Sequence, residues 1–88
     1  YVRQLAVELA PRGITANSLR AGVADTDALR KIPGHERIKA RAEAANPRGR
    51  LTRPEDVARA VALLAEPGAD WISGDVIAVD GGEDISAG

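Results

Sequence analysis

The sequence predicts an α/β fold with parallel strands, because helical and strand patterns alternate along its 88 residues. Residues 1–10 repeat apolar side chains at helical spacing, and Ile14–Leu19 is a short segment with a β-branched start, typical of a strand. Asp75–Asp80 is a second strand, apolar on both faces, as a parallel strand covered by helices would be. The predicted order is helix, strand, lid helices, helix, strand.

The segment between the two strands contains a predicted lid, residues 20–53. Asp25 or Thr26 can cap a short helix, which Pro33-Gly34 then ends. His35–Ala45 reads as a second helix that is rich in alanine and charged residues and has one large apolar side chain. Such a helix buries little surface, so we expect the lid to be mobile and to close over a neighbouring site.

A third helix is predicted after Thr52-Arg53-Pro54-Glu55, which fits a capping box with proline in the first turn. Its predicted buried stripe consists of Val57, Val61 and Leu64, thickened by Ala58 and Ala65. Glu66-Pro67-Gly68 ends this helix. We expect Trp71 and Ile72 in the following connector to be partly buried and the last six residues to form a loose tail.

Composition limits the classes of partner. The formal net charge is -1 with 44% hydrophobic residues, so no basic surface calls for nucleic acid or an anionic membrane. The absence of cysteine excludes disulfides and thiolate metal sites and is compatible with a cytoplasmic protein. There is no methionine, and the chain starts inside a helical pattern. Two strands alone cannot cover their apolar faces, so we expect the carboxyl-terminal part of a larger protein.

The candidate site is the loop that follows the first strand. This strand runs into an Ala21-Gly22 turn, and a polar loop then restarts a helix. In open α/β sheets, ligands bind at the carboxyl ends of the strands. The loop is therefore the first place to look for a bound ligand.

Several short motifs follow one another at compatible spacing, namely Leu5–Ile14, Asn17, Ala21-Gly22 with Thr26, Gly49-Arg50-Leu51, Pro54–Ala58, Gly74 and Val79-Asp80-Gly81-Gly82. In this order they resemble the carboxyl-terminal third of a short-chain dehydrogenase/reductase. Asp25–Leu29 followed by Pro33 most resembles the enoyl-acyl-carrier-protein reductase branch. The resemblance implies that residues 1–88 are the carboxyl-terminal part of a doubly wound, parallel-sheet Rossmann domain that transfers hydride to or from NAD or NADP.

The resemblance also implies which residues hold the cofactor: Ala21, Gly22, Val23 and Thr26. The Val23 backbone would clamp the nicotinamide carboxamide, and the Thr26 hydroxyl would bind the carboxamide or the pyrophosphate. An amide needs one donor and one acceptor held rigidly. The family usually has Pro-Gly at this turn, and losing the proline loosens it while the glycine keeps its backbone freedom. Arg20 beside the turn could bind an anionic group or point to solvent.

No catalytic residue is expected within the chain, because the catalytic Ser, Tyr and Lys of the family lie upstream of the matched region. Tyr1 does not qualify, since the residue four positions later is Leu5 rather than lysine. The implied partners are a small-molecule or acyl-thioester substrate, the missing amino-terminal half of the domain and further copies in a dimer or tetramer.

Simpler interpretations stay open for several residues. Thr26 can cap a helix with or without a cofactor. Asp25 and Asp27 lack a third metal ligand and fit cap and solvent roles better, and His35 fits a surface role. Acidic residues alternate with the basic residues around the lid, which favours a solvated surface. These basic residues could still bind a phosphate or an acidic carrier protein, and they are Lys39, Arg41, Arg48, Arg50 and Arg53. The alternative function is a non-catalytic structural or assembly module.

Overall fold

The computed structural model describes residues 1–87, and its elements follow the predicted order. In chain order they are α1 (Val2–Leu9), β1 (Ser18–Ala21), α2 (Asp27–Arg30), α3 (His35–Ala45), α4 (Pro54–Leu64), β2 (Val76–Val79) and α5 (Glu83–Ala87). Each helix within these residues is too short or too polar to cross a bilayer.

The two strands pair in parallel, which confirms the predicted α/β class. Ser18 lies opposite Val76 and Ala21 lies opposite Val79. The ladder is extended at the far end by the Gly22 N–H, which donates to the Val79 carbonyl at 3.3 Å. Because the strands are parallel, their carboxyl ends meet at one edge of the sheet.

The predicted first strand, Ile14–Leu19, is wrong in its bounds, because β1 begins only at Ser18. The residues before it bond to the connector that precedes β2 instead of to a strand. The Ala16 N–H donates to Ser73 Oγ at 3.1 Å, and the Asn17 side-chain amide donates to the Ile72 carbonyl at 3.0 Å. These side-chain bonds, with the Gly74 N–H that donates to the Ala16 carbonyl at 2.7 Å, join the two segments before the regular ladder starts.

The predicted capping box of α4 is wrong by one residue. The N-cap is Arg53, whose backbone N–H donates to Asp56 Oδ2 at 2.8 Å. Thr52 is buried instead and forms an isolated parallel bridge with Ala24. Pairing with the loop after β1 therefore takes Thr52 away from the helix end.

Burial is lower than the sequence predicts. Val57 and Leu64 are half-buried as expected, but Val61 of the predicted stripe is 53% exposed. Trp71 is 94% exposed and Ile72 is also exposed, which contradicts the predicted partial burial. Within residues 1–87, α4 contacts β2 while Val76 stays exposed, as expected for strands that need the rest of a larger sheet to cover them. The buried apolar side chains among the described residues are Ala6, Ala42, Leu51 and Ala69.

The expected loose tail is wrong for residues 83–87, which form α5, while Gly88 lies outside the described residues. Asp80 starts this helix, because its Oδ2 accepts the Asp84 N–H at 3.2 Å and its Oδ1 accepts the Gly82 N–H at 2.9 Å. Glu83 and Asp84 in the first turn favour the positive end of the helix.

Candidate functional site

The predicted cofactor residues lie together in one turn at the carboxyl end of β1. Ala21 is the last residue of the strand, and Gly22 and Val23 follow it directly. Thr26 ends the turn as the N-cap of α2. The carboxyl end of β2, with Asp80, lies beside this turn. This is the edge of the sheet where a ligand was predicted from the sequence.

Gly22 is required by close packing rather than by its backbone conformation. A Cβ atom at this position would lie 2.6 Å from Thr52 Oγ1 and 3.0 Å from Asp80 Cβ. Gly22 is not among the residues with positive φ, so the predicted need for glycine's backbone freedom is wrong here. The turn is instead held against Thr52 and the end of β2, where a side chain has no room.

Both backbone groups of Val23 have partners within the chain. Its carbonyl accepts the Thr52 N–H at 3.1 Å, and its N–H donates to Glu83 Oε2 at 3.3 Å. Glu83 Oε1 is buried and has no hydrogen-bond partner among residues 1–87. The contact between Glu83 and Val23 could not be predicted from the sequence, because the two residues are 60 positions apart and local patterns do not report such contacts.

Thr26 is the N-cap of α2, which is one of the two caps that the sequence predicted. Its Oγ1 accepts the Leu29 N–H at 3.2 Å, and the residue is exposed. A hydroxyl that accepts one hydrogen bond still carries a proton to donate. Thr26 can therefore cap the helix and donate to a ligand at the same time.

Arg20 points toward α5. Its Nη1 lies 3.3 Å from Asp84 Oδ2, and both side chains are more than half exposed. An exposed pair of this kind contributes little to stability. Arg20 thus bridges the sheet edge to α5 with a weak ion pair.

Asp25 is neither a helix cap nor a solvent residue, which corrects the sequence-based interpretation. Its Oδ1 accepts from Arg30 Nε at 3.1 Å and its Oδ2 accepts from Lys39 Nζ at 3.0 Å. The Arg30 guanidinium, followed by the Lys39 ammonium, holds the pKa of the Asp25 carboxyl below its usual value. Within residues 1–87, the Asp27 side chain pairs with Arg30 at 3.3 Å, and it is 92% exposed.

Arg50 is also engaged within the chain. Its guanidinium donates to both carboxylate oxygens of Asp56, at 2.7 and 3.0 Å, in a fork-like pair. This pair, with the Arg53 N–H, holds the pKa of Asp56 well below its usual range. Of the basic residues around the lid, Lys39 and Arg50 are therefore bound to carboxylates. His35 is half-buried, with its Nδ1 buried and unpartnered among the described residues, and its predicted surface role stays a prediction.

Asn46 and Asp80 join the end of the lid to the end of β2. Asn46 is 6% exposed, and its side chain donates to the Asp80 carbonyl at 2.9 Å and accepts the Arg48 N–H at 2.8 Å. The predicted turn at Asp80-Gly81-Gly82 is confirmed, and both glycines have positive φ. The Gly82 and Asp84 N–H groups hold the pKa of Asp80 below its usual value.

A cavity of about 190 Å³ lies beside the turn rather than at it. Its lining includes Asn46, Arg50, Thr52 and Asp80, but neither Val23 nor Thr26. None of the four predicted cofactor residues lines this cavity.

The family model described as enoyl-(acyl carrier protein) reductase matches residues 1–83. A cis-4-hydroxycyclohexanecarboxylate dehydrogenase of Sinomonas cyclohexanicum is 42% identical over 80 residues, which are 91% of this chain and 31% of that protein. The 3-oxoacyl-(acyl-carrier-protein) reductase FabG of Vibrio cholerae is 37% identical over 82 residues, which are 93% of this chain and 33% of that protein.

A solved structure is similar in the same way. The crystal structure of the enoyl-(acyl-carrier-protein) reductase (NADH) of Aquifex aeolicus superposes with a TM-score of 0.83 at 33% identity, covering 96% of this chain and 32% of that one. The chain thus spans about a third of the length of these relatives. Its parallel α/β arrangement matches a part of their Rossmann-like fold. Since the family model covers nearly all of its residues, the chain belongs to the short-chain dehydrogenase/reductase family, in the branch that resembles enoyl-acyl-carrier-protein reductases.

Proposed function

We propose that this chain is the carboxyl-terminal part of a single NAD(P)-binding Rossmann domain in an oxidoreductase. The whole protein would transfer hydride between NAD or NADP and a carbonyl, alcohol or enoyl thioester. Residues 20–53 would form its lid. The observation that carries the proposal is the turn from Ala21 to Thr26, which lies at the carboxyl edge of both parallel strands in a chain of this family.

The turn offers the groups that a nicotinamide carboxamide requires. The Val23 carbonyl keeps a second lone pair beyond its bond to Thr52, and the Thr26 hydroxyl keeps its proton. The Val23 N–H becomes a second donor if the Glu83 carboxylate moves away. We assign Ala21, Gly22, Val23 and Thr26 to the cofactor on this basis. The bound nicotinamide would supply or accept the hydride, and these residues would orient its ring.

The proton-transfer groups would come from the upstream part of the fold. In this assignment a tyrosine, its pKa lowered by a nearby lysine, would act as general acid or base. Reading the coding sequence upstream of Tyr1 tests this directly. We expect a glycine-rich loop and a Tyr-x-x-x-Lys motif that ends about one to three helical turns before Tyr1. If neither is present, the chain is a non-catalytic assembly module.

Replacing Thr26 by valine in the intact protein should weaken the use of the cofactor by about 1–2 kcal/mol, the scale of one hydrogen bond. The hydroxyl that would donate to the cofactor is lost, while the shape of the side chain is kept. Steady-state kinetics with NADH and NADPH measure the effect, and Thr26→Ser should retain most of the activity. An unchanged KM and kcat in Thr26→Val would remove this residue from the site.

Replacing Glu83 by alanine should tighten the binding of the nicotinamide cofactor by about three- to tenfold. The Glu83 carboxylate accepts the hydrogen bond of the Val23 N–H. Without it, this N–H would be free to donate to the carboxamide oxygen of the cofactor. Titration of the intact protein with NADH or NADPH, followed by fluorescence, gives the Kd. Asp84→Ala is the control, since this neighbouring carboxylate pairs with Arg20 and does not contact Val23. Equal Kd values for Glu83→Ala and the wild type would exclude this competition.

The isolated 88-residue chain should not oxidise NADPH with any carbonyl or enoyl thioester substrate, because the catalytic groups are assigned to the upstream part. The loss of absorbance at the nicotinamide wavelength measures this activity. If the purified chain turned over substrate, the catalytic groups could not all lie in the upstream part of the protein.

An open apolar groove marks a surface that the upstream part of the fold or further copies of the protein would cover. It lies between α1 and the connector before β2, and Val7, Ile14 and Trp71 line it. These three side chains are exposed, and Trp71 is nearly fully so. Contiguous exposed apolar surface of this kind marks interaction sites. We assign α1 and residues 54–82 to subunit contacts in a dimer or tetramer of a cytoplasmic protein.

A further inference from the structure

Asp25 is a residue of the turn whose side chain contacts both helices of the lid. This residue lies between Val23 and Thr26, the two residues proposed to hydrogen-bond the cofactor. One carboxylate oxygen accepts from Arg30 at the end of α2, at 3.1 Å, and the other accepts from Lys39 in α3, at 3.0 Å. A single group in the turn therefore binds both helices of the lid.

Apolar packing does little to hold α3 in place. Ala42 is its one buried residue, and its only large aliphatic side chain, Ile38, is exposed. The side chains of Asp25 and Lys39 are about one-third exposed, so their ion pair is better shielded than a pair on the open surface. α3 also contacts α5, whereas the Lys39–Asp25 bond is the polar contact that joins α3 to the turn.

Asp27 shows why position matters more than charge here. It lies two residues further along and also contacts Arg30, at 3.3 Å, but its side chain is 92% exposed and does not reach Lys39. Exposed pairs three residues apart on one helix contribute very little. Asp27 therefore supplies a natural control with the same chemistry.

We propose that Asp25 is a positioning residue that fastens α2 and α3 to the turn and so places Val23 and Thr26 for the cofactor. The proposal rests on the proposed function for its effect on the cofactor, and on the two carboxylate contacts for the tether itself. Without the carboxylate, α3 would separate from the turn more often. Val23 and Thr26 would then be less well positioned to bind the cofactor.

The test uses the intact protein with Asp25→Asn, Lys39→Met, the double variant and the control Asp27→Asn. Amide hydrogen exchange of residues 35–45, measured without cofactor, reports the tether. Steady-state kinetics report the cofactor. We expect faster exchange and a KM for the nicotinamide cofactor raised about two- to fivefold in Asp25→Asn and Lys39→Met, with kcat changed less than the KM. The double variant should match Asp25→Asn, because Asp25→Asn already removes the ion pair that Lys39→Met removes, and Asp27→Asn should match the wild type.

Unchanged exchange in Asp25→Asn, or additive effects in the double variant, would overturn the tether. Faster exchange with the same cofactor KM as Asp27→Asn would overturn the positioning role. A wild-type protein that binds neither NADH nor NADPH would instead overturn the proposed function, and the exchange data would still decide whether Asp25 holds the lid.

Discussion

Gly22→Ala will lower the free energy of unfolding by about 1–3 kcal/mol, the usual cost of forcing an extra carbon into a packed site. The added Cβ would lie 2.6 Å from Thr52 Oγ1 and 3.3 Å from the Asp80 backbone. Thr52 is 5% exposed and is held by its bridge to Ala24, so it has little freedom to move. The turn itself must therefore shift away from β2.

This shift would also displace Val23 and Thr26, so the same variant should bind NADH and NADPH more weakly. Urea unfolding followed by circular dichroism and a cofactor titration measure the two effects on the intact protein. Gly68→Ala is the matched control, because nothing lies within 4 Å of a Cβ at this position and its φ is not positive. Equal stability of the two alanine variants would contradict the close packing described for Gly22.

Asn46→Ala will cost about 1–3 kcal/mol of unfolding free energy, because it removes two hydrogen bonds made by a buried side chain. The Asp80 carbonyl keeps only the Glu83 N–H at 3.2 Å, and the Arg48 N–H loses its side-chain acceptor. Asn46 lies at the end of α3, and Asp80 lies at the end of β2, so the junction between the lid and the sheet would loosen. Urea unfolding of the intact protein measures the loss.

Asn17 provides a matched control for this change. Its side chain also contacts two backbone groups, donating to the Ile72 carbonyl at 3.0 Å and accepting the Asp75 N–H at 3.3 Å. Asn17 is only half-buried, so water can replace its partners, and Asn17→Ala should cost less than Asn46→Ala. If both variants lost the same stability, burial would not be what makes Asn46 important.

Local sequence signals predicted most of the secondary structure. The proline and glycine at 33–34 separate α2 from α3, and Thr26 caps α2, as the sequence indicated. These features depend on residues within one helical turn of each other, where hydrogen bonding and backbone preference act directly. The turn at the carboxyl end of β1 was found by the same kind of signal.

The predicted helix cap and strand start were wrong where a distant segment formed hydrogen bonds with the same backbone or side-chain groups. Thr52 has the residue type and spacing of an N-cap, but it pairs with Ala24 in the loop after β1. Ile14 and Thr15 are β-branched and predicted a strand start, but Ala16 and Asn17 bond to the connector at 72–75 before the ladder begins. In each case a long-range hydrogen bond outweighed a local preference of about 1 kcal/mol.

By itself, the sequence determined the α/β class, the order of the elements, the family resemblance and the turn from Ala21 to Thr26. Only the tertiary structure decided that Glu83 binds Val23, that Asp25 binds Lys39 and that Asn46 binds Asp80. These pairs join segments far apart in the chain, and their geometry depends on how parallel strands and helices are placed in space. Spacing along a sequence records local periodicity, whereas such contacts are set by the path of the whole chain.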